Sequence, residues 1–203
     1  MTVEPRIACE SAATVVETAH SNAELKRRLR RRLLDARAAM QPAQSAFHDA
    51  AIAARLEAWL QHDPARLLGV YWPIRGEPDL RALYARLAAA GTRLALPVMN
   101  GPQSALQFAP WTPGEPLAFD RFGIATPVAA PTLVVPDTLL IPCVGVNASL
   151  HRLGYGGGFY DRTLALQPRP RAIGVCYEIG RTAFDNDAHD IPMDVVITES
   201  TPE

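Results

Sequence analysis

Four glycines occur within five positions of the segment HRLGYGGGFYDR, which runs from residue 151 to residue 162. These glycines are Gly154, Gly156, Gly157 and Gly158. Glycine loses more backbone freedom on folding than any other residue, so such a cluster needs a reason. A glycine-rich turn exposes successive backbone N–H groups, which form a concavity that binds anions such as phosphate. The segment therefore predicts a phosphate-binding loop, and a tight strand-to-helix turn is the alternative.

Two charged residues flank these glycines. Arg152 precedes them, and its planar guanidinium suits a phosphate group. Asp161 follows them in the first turn of a predicted helix, where it could hold Mg²⁺ against phosphate oxygens or simply complement the helix dipole. No Gly-Lys-Ser/Thr sequence follows, which excludes a P-loop, and Phe159 occupies the position where a dinucleotide-binding fingerprint needs glycine.

A basic segment near the N-terminus offers a second group of cations. Ser21 and Glu24 have the spacing of a capping box, and a stripe of apolar residues then predicts a helix, namely Leu25, Leu29 and Leu33. Lys26 and Arg30 are four residues apart and so share one helix face. That face could be solvated or could bind phosphate. Contact with nucleic acid is a third and weaker alternative.

Further candidates follow predicted strands. Trp72 ends the predicted strand at residues 66–72, and Glu77 follows it, at the edge of the sheet where ligands bind in α/β proteins. Glu77 could equally be a helix N-terminal acid, and Trp72 a core residue. Asp190 precedes the last predicted strand, where it could cap a turn.

Apolar strands alternate with amphipathic helices along the chain, which predicts a three-layer α/β/α domain with a mostly parallel sheet. We expect this single domain to span residues 22–203, after a disordered extension at residues 1–21. Seven prolines between residues 100 and 138 indicate ordered loops and a hairpin insertion.

The bulk composition narrows the function classes. The chain has 203 residues, a net charge of −1 and three widely spaced cysteines. The near-zero charge argues against a dedicated nucleic-acid binder, and the cysteines form neither a disulfide framework nor a zinc motif. No apolar run is long enough for a membrane span. These features favour a cytoplasmic protein without nucleic acid or membrane as partners, and we also expect it to be a monomer.

The motif RLGYGGGFYDR, read with four weaker ones, identifies a family that the sequence resembles. The weaker motifs, in order, are KRRLR, GEPDL, FGIATP and HDIPMDVVITE. From about Ala23 to Glu199 the sequence resembles 5-formyltetrahydrofolate cyclo-ligase, also called 5,10-methenyltetrahydrofolate synthetase. The resemblance implies conversion of 5-formyltetrahydrofolate to 5,10-methenyltetrahydrofolate with ATP and Mg²⁺, releasing ADP and phosphate. It also implies a fold related to the sugar-phosphate isomerase and CoA-transferase group.

The resemblance also implies roles for individual residues. The residues implied to contact ATP are Lys26, Arg30, Arg152, Gly154, Tyr155, Gly156, Gly157, Gly158, Phe159 and Tyr160. Those implied to line the folate pocket are Trp72, Glu77, Tyr155 and Tyr160, with Glu77 contacting the pterin N–H groups. Asp161 and Asp190 would hold Mg²⁺, and Lys26, Arg152 and Tyr160 would act in catalysis. A folate- or nucleotide-binding relative without catalytic activity is the alternative.

Overall fold

The computed structural model describes residues 10–119, 125–128 and 132–200, with side chains described from residue 22 onward. Its helices are α1 (Glu10–Ala38), α2 (Pro42–His62), α3 (Arg81–Ala89) and α4 (Phe159–Leu164), and a short 3-10 helix spans Glu178–Gly180. Its strands are β1 (Leu67–Gly69), β2 (Arg93–Val98), β3 (Gln107–Trp111), β4 (Leu117–Phe119), β5 (Ala125–Pro127), β6 (Thr138–Pro142), β7 (Gly145–Val146), β8 (Arg152–Leu153), β9 (Arg171–Val175) and β10 (Val195–Ile197).

Six strands form the central sheet, in the order β10-β9-β6-β1-β2-β3. The first five of these strands are mutually parallel, and β3 adds to β2 antiparallel at one edge. An antiparallel edge strand on an otherwise parallel sheet is common in α/β folds. The predicted mostly parallel sheet is therefore confirmed, and its parallel strands direct their carboxyl ends toward the same edge.

The central strands are apolar on both faces because both faces are covered. Along β6, Leu140 faces one core with α2 and α3, whereas Leu139 and Ile141 face another core that includes Leu164 of α4. This alternation follows from the two-residue period of a strand. The three predicted layers are present, and the layer on the second face consists of the six-residue α4 together with loop residues.

Close packing restricts one position of the central strand β1. A Cβ atom added at Gly69 would lie 2.5 Å from a methyl carbon of Leu139 and 3.0 Å from the ring of Phe108. The neighbouring strand β6 and the edge strand β3 thus meet over this glycine. A larger residue there would push apart the strands whose ends carry the candidate site.

Helix α1 differs from its predicted form in two respects. It begins at Glu10, so Ser21 lies inside the helix and does not cap it, and no proline or glycine interrupts the intervening residues. Residues 10–21, expected in a disordered extension, are therefore helical, while residues 1–9 lie outside the described part of the chain. The division into extension and domain at residue 21 stays a prediction.

The buried face of α1 is also displaced from the predicted stripe. Leu29 and Leu33 are buried as expected, but Leu25 is 45% exposed. The buried positions are instead Lys26, Leu29, Leu33 and Arg37, which follow one another at intervals of three, four and four residues. This spacing is that of a helix face, so the inner face of α1 carries two cations as well as two leucines.

Two hairpins are added to the sheet. Strands β4 and β5 pair antiparallel within the proline-rich segment, which confirms the predicted hairpin insertion. Strands β7 and β8 form a second antiparallel pair between β6 and α4. Through this second hairpin the glycine segment is connected to the sheet. Among the described residues, no helix has both the length and the apolar character needed to cross a membrane.

Candidate phosphate and folate site

The glycine segment forms a loop between β8 and α4, and we call residues 154–158 the glycine loop. Gly156 has φ +95° and Gly158 has φ +65°, a region of backbone space that side chains with a Cβ rarely adopt. Gly158 caps the start of α4, which has only six residues. Turn geometry therefore explains two of the four glycines, as expected if the segment is a tight strand-to-helix turn.

Gly154 requires another explanation. Its φ lies outside the positive region, and an added Cβ atom would have no neighbour within 4 Å. Neither backbone strain nor packing in the described residues demands glycine at this position. Open space above a glycine backbone is what a closely approaching ligand needs. Gly154 thus supports the anion-binding interpretation of the loop.

Helix α1 brings its cations to this loop. The Nε of Arg30 donates a hydrogen bond of 2.7 Å to the carbonyl oxygen of Gly154, across 124 positions of sequence. A Cβ atom at Gly156 would lie 3.8 Å from the Arg30 guanidinium carbon. Partial burial lowers the pKa of Arg30. Helix α1 therefore contacts the glycine loop directly through Arg30, whereas the contact of Arg30 with ATP stays a prediction.

Lys26 lies one turn earlier on the same helix and is only 5% exposed. Its Nζ donates hydrogen bonds of 2.7 Å to Asp187 and 2.8 Å to Asp190. Burial opposes the charge on Lys26, but its hydrogen bonds to the two carboxylates outweigh this effect and raise its pKa. Lys26 is thus a charged, buried ammonium and not part of a solvated basic face, whereas the arginines that are exposed are Arg27, Arg28, Arg31 and Arg32.

Arg152 lies on β8 directly before the glycine loop and is 9% exposed. Its guanidinium forms an ion pair with Asp161 of α4 and donates a 2.9 Å hydrogen bond to the Ile191 carbonyl oxygen. Asp161 in turn accepts a 3.1 Å hydrogen bond from the Ile191 N–H. Arg152 and Asp161 therefore meet beside Ile191, next in sequence to Asp190.

The two predicted metal ligands suit Mg²⁺ by their chemistry. Asp161 is hydrogen-bonded to Ile191, the residue that follows Asp190. Mg²⁺ is usually held by one or two carboxylates together with phosphate oxygens. No cluster of three or more His, Cys, Asp or Glu side chains that could cage a metal occurs in the described part of the chain. Two carboxylates near the glycine loop would suit a metal that arrives with phosphate.

Glu77 lies on the other side of the loop and is 5% exposed. Its carboxylate accepts hydrogen bonds of 2.9 Å from the Ile74 N–H and 2.9 Å from the Tyr155 hydroxyl. Burial raises the pKa of Glu77 to about 7, although these hydrogen bonds and the charges of Arg37 and Arg75 act in the opposite direction. Glu77 is thus a buried carboxylate that lies outside the adjacent helix and is hydrogen-bonded to the loop. Its role is more than that of a partner for a helix dipole.

The three aromatic candidates lie in three different surroundings. Tyr155 is in the loop, and the Arg75 guanidinium lies 5.3 Å from its ring centre. Tyr160 packs against the second core, and burial, with a further contribution from the Glu77 charge, raises its pKa. Trp72, by contrast, contacts Trp111 and Phe119, with ring centres 6.0 and 6.5 Å away.

Gly157 and the adjoining residue Phe159 have structural contacts of their own. Phe159 packs against the second core, and the Arg162 guanidinium lies 5.3 Å from its ring centre. A Cβ atom at Gly157 would lie 2.7 Å from the Phe159 ring. The contacts described for Phe159 are therefore those of an anchor for the loop, and its contact with ATP stays a prediction.

Two site residues were missed by the sequence analysis. Asp187 is the second partner of Lys26, and Arg37 contacts Tyr155. The spacing of α1 contained a signal for Arg37, because the residue lies seven positions after Arg30 on the same helix face. For Asp187 the only signal was its place three residues before Asp190 in an acidic loop.

The protein is an α/β protein with a candidate nucleotide-phosphate site at the carboxyl edge of its parallel sheet. This site consists of buried cations, the glycine loop and two carboxylates. Sequence comparison gives the relationship directly. The 5-formyltetrahydrofolate cyclo-ligase family matches residues 22–199. The chain belongs to this family.

Individual relatives agree with that assignment. The chain is 34% identical to the 5-formyltetrahydrofolate cyclo-ligase of Escherichia coli K12 over 145 residues, which cover 67% of this chain and 79% of that protein. It is 36% identical to the enzyme of the same name from Mycolicibacterium smegmatis over 107 residues, or 49% of this chain. That match spans only 55% of the length of the Mycolicibacterium protein.

Solved structures show the same fold. The 5,10-methenyltetrahydrofolate synthetase of Aquifex aeolicus superposes with a TM-score of 0.75 and 28% identity, covering 87% of this chain and 91% of that chain. The synthetase of the same name from Mycoplasma pneumoniae gives a TM-score of 0.71 and 25% identity, covering 86% and 99%. The α/β fold is therefore shared along almost the whole length of these proteins.

Proposed function

We propose that this protein uses ATP and Mg²⁺ to convert 5-formyltetrahydrofolate to 5,10-methenyltetrahydrofolate, with release of ADP and phosphate. Family membership supports the reaction. The observation that carries the proposal is the convergence of Lys26, Arg30 and Arg152 around the glycine loop, with the buried carboxylate of Glu77 joined to that loop through Tyr155.

The phosphate side of the proposed site consists of cations that are already in place. Lys26 and Arg152 are buried and hydrogen-bonded, so little side-chain freedom is lost when they bind phosphate. Phosphoryl transfer needs positioning and charge neutralisation more than covalent help from the protein. Arg30 contributes by holding the Gly154 carbonyl, which turns the loop backbone toward α1.

Asp161 and Asp190 are the residues that would hold Mg²⁺. Each carboxylate forms an ion pair with a cation of the proposed phosphate side, Arg152 and Lys26 respectively, and each keeps oxygen lone pairs that could bind Mg²⁺. When bound, ATP supplies the phosphoryl group that activates the formyl oxygen, and Mg²⁺ neutralises charge on the phosphates. The role of this chain is to align these groups and to exclude water.

The folate side centres on Glu77. Its two carboxylate oxygens accept one hydrogen bond each from the protein, from Ile74 and from Tyr155, and each oxygen has a second lone pair. The ionised carboxylate can accept hydrogen bonds from the N–H groups of a pterin ring. Tyr155 and Tyr160 would line the same pocket, and Trp72 would form an outer aromatic wall.

The test is to follow absorbance at the methenyl-folate band after mixing purified protein with 5-formyltetrahydrofolate, ATP and Mg²⁺. Each component is omitted in turn. We expect absorbance to rise only when all three are present, with one ADP formed per methenyl product. Binding of ATP without any rise would contradict the ligase activity and would favour a non-catalytic folate- or nucleotide-binding relative.

A further inference from the structure

Tyr155 connects the two sides of the site. It lies within the glycine loop, yet its hydroxyl donates to Glu77 at 2.9 Å. The same hydroxyl oxygen accepts a 3.3 Å hydrogen bond from Nη1 of Arg37. A residue of the phosphate-binding loop is thus hydrogen-bonded to the carboxylate on the folate side.

Arg37 anchors this connection to the scaffold. Its Nη2 donates a 2.6 Å hydrogen bond to the carbonyl oxygen of Cys143, which directly follows β6. The aliphatic part of its side chain packs under the turn at Gly76, where a Cβ atom would lie 3.4 Å from Arg37 Cγ. One side chain of α1 therefore contacts the sheet edge, the loop and the turn that presents Glu77.

The environment of Arg37 is unusual for an arginine. It is 5% exposed, and its hydrogen-bond partners in the described part of the chain are a phenol and a carbonyl, not a carboxylate. A buried charge is costly unless it is paired. The carboxylate of Glu77 lies close enough for the Arg37 charge to lower its pKa. The fold thus keeps a cation in its interior, beside Glu77.

We propose that Arg37 is a positioning residue that acts through Tyr155 to couple the glycine loop to Glu77, so that ATP and the folate bind cooperatively. This inference rests on the proposed function, because it assigns phosphates to the loop and the folate to Glu77. A ligand that orders the loop also orders Tyr155 and hence Glu77, so the second ligand loses less freedom on binding. Linkage requires the effect to be reciprocal.

The experiment measures the dissociation constant of 5-formyltetrahydrofolate with and without a saturating non-hydrolysable ATP analogue and Mg²⁺. In the natural protein we expect the analogue to tighten folate binding about fivefold or more, within the usual range of coupling between sites. Tyr155→Phe keeps the ring but removes the hydroxyl, so we expect the ratio of the two constants to fall close to one.

Two further variants separate positioning from general damage. Arg37→Lys keeps the charge but cannot donate to both Tyr155 and Cys143 as the guanidinium fork does, so we expect a ratio between those of the natural protein and Tyr155→Phe. Arg31→Gln is the matched control, because Arg31 is an exposed arginine of the same helix. Its ratio should equal that of the natural protein.

The inference is overturned if Tyr155→Phe retains the full ratio, or if the natural protein shows no coupling. Tyr155→Phe alone decides the matter should Arg37→Lys fail to fold. These results are distinguishable from failure of the proposed function. A natural protein that forms methenyl product but shows no coupling contradicts only the role of Arg37 and Tyr155, whereas absence of product contradicts the ligase activity itself.

Discussion

Replacement of Glu77 by glutamine should separate two effects of this carboxylate, namely its effect on the free energy of unfolding and its effect on folate binding. Burial raises the pKa of Glu77 from its ordinary value of 4.5 to about 7, against the opposing effects of Ile74, Tyr155, Arg37 and Arg75. The folded protein therefore disfavours the ionised form that the unfolded chain adopts freely above pH 4.5. Glutamine has a similar shape and cannot ionise, so it avoids this cost.

The magnitude follows from linkage between protonation and folding. Below pH 4.5 both states carry the proton, and Glu77 costs the fold nothing. As pH rises the unfolded state loses its proton first, so the cost grows and is complete above about pH 7. A rise of the pKa from 4.5 to about 7 corresponds to about 3 kcal/mol. Between about pH 5 and about pH 8, the stability of Glu77→Gln relative to the natural protein should increase by about 2.5 kcal/mol.

Denaturant unfolding of both proteins at these two pH values measures the effect. The change with pH carries the test, because an imperfect amide hydrogen bond would shift both values alike. Glu57→Gln is the matched control. The hydrogen bond that Glu57 accepts from Arg86, at 2.8 Å, lowers the pKa of Glu57. Its contribution to stability is lost only as pH falls toward the folded pKa, below about 4.5, so Glu57→Gln should show almost no change in relative stability between these two pH values.

The same variant should bind the folate poorly. If ionised Glu77 accepts hydrogen bonds from the pterin, Glu77→Gln raises the folate KM and leaves the ATP KM nearly unchanged. A stability difference that does not change with pH would refute the raised pKa. A gain in stability at high pH with an unchanged folate KM would refute contact with the pterin.

Two further predictions concern the phosphate side. Gly154→Ala should fold with little loss of stability and yet raise the ATP KM at least about tenfold, because its Cβ would enter open space over the loop. Gly156→Ala, by contrast, should unfold more easily because of its φ of +95°. ATP kinetics in Gly154→Ala equal to those of the natural protein would argue against a phosphate close to this residue. Arg152→Ala should reduce kcat/KM for ATP by about ten- to a hundredfold, the value of hydrogen bonds to a charged group, with a much smaller change in folate affinity. Kinetics with ATP varied at saturating folate check both, and unchanged ATP kinetics in Arg152→Ala would contradict its phosphate role.

Features that depend on short stretches of chain could be predicted from the sequence. The apolar runs that become β2, β6 and β9 show the two-residue and continuous patterns of buried strands, so the parallel sheet was predictable. The clustered glycines likewise predicted the glycine loop, and the four-residue spacing of Lys26 and Arg30 predicted that they share a helix face. These features are set by periodicity and by backbone freedom within about ten residues, which a sequence displays directly.

Only the tertiary structure decided which side chains meet. Arg37 and Tyr155 are 118 positions apart, and Tyr155 and Glu77 are 78 apart. Their contacts exist because the sheet order brings the ends of β1 and β6 together beneath α1. Burial has the same origin: Leu25 and Arg37 lie on one helix, yet the apolar residue is exposed and the charged one is buried. Helix periodicity defines a face, but the packing partner determines which face turns inward, and hence which cations the site can use.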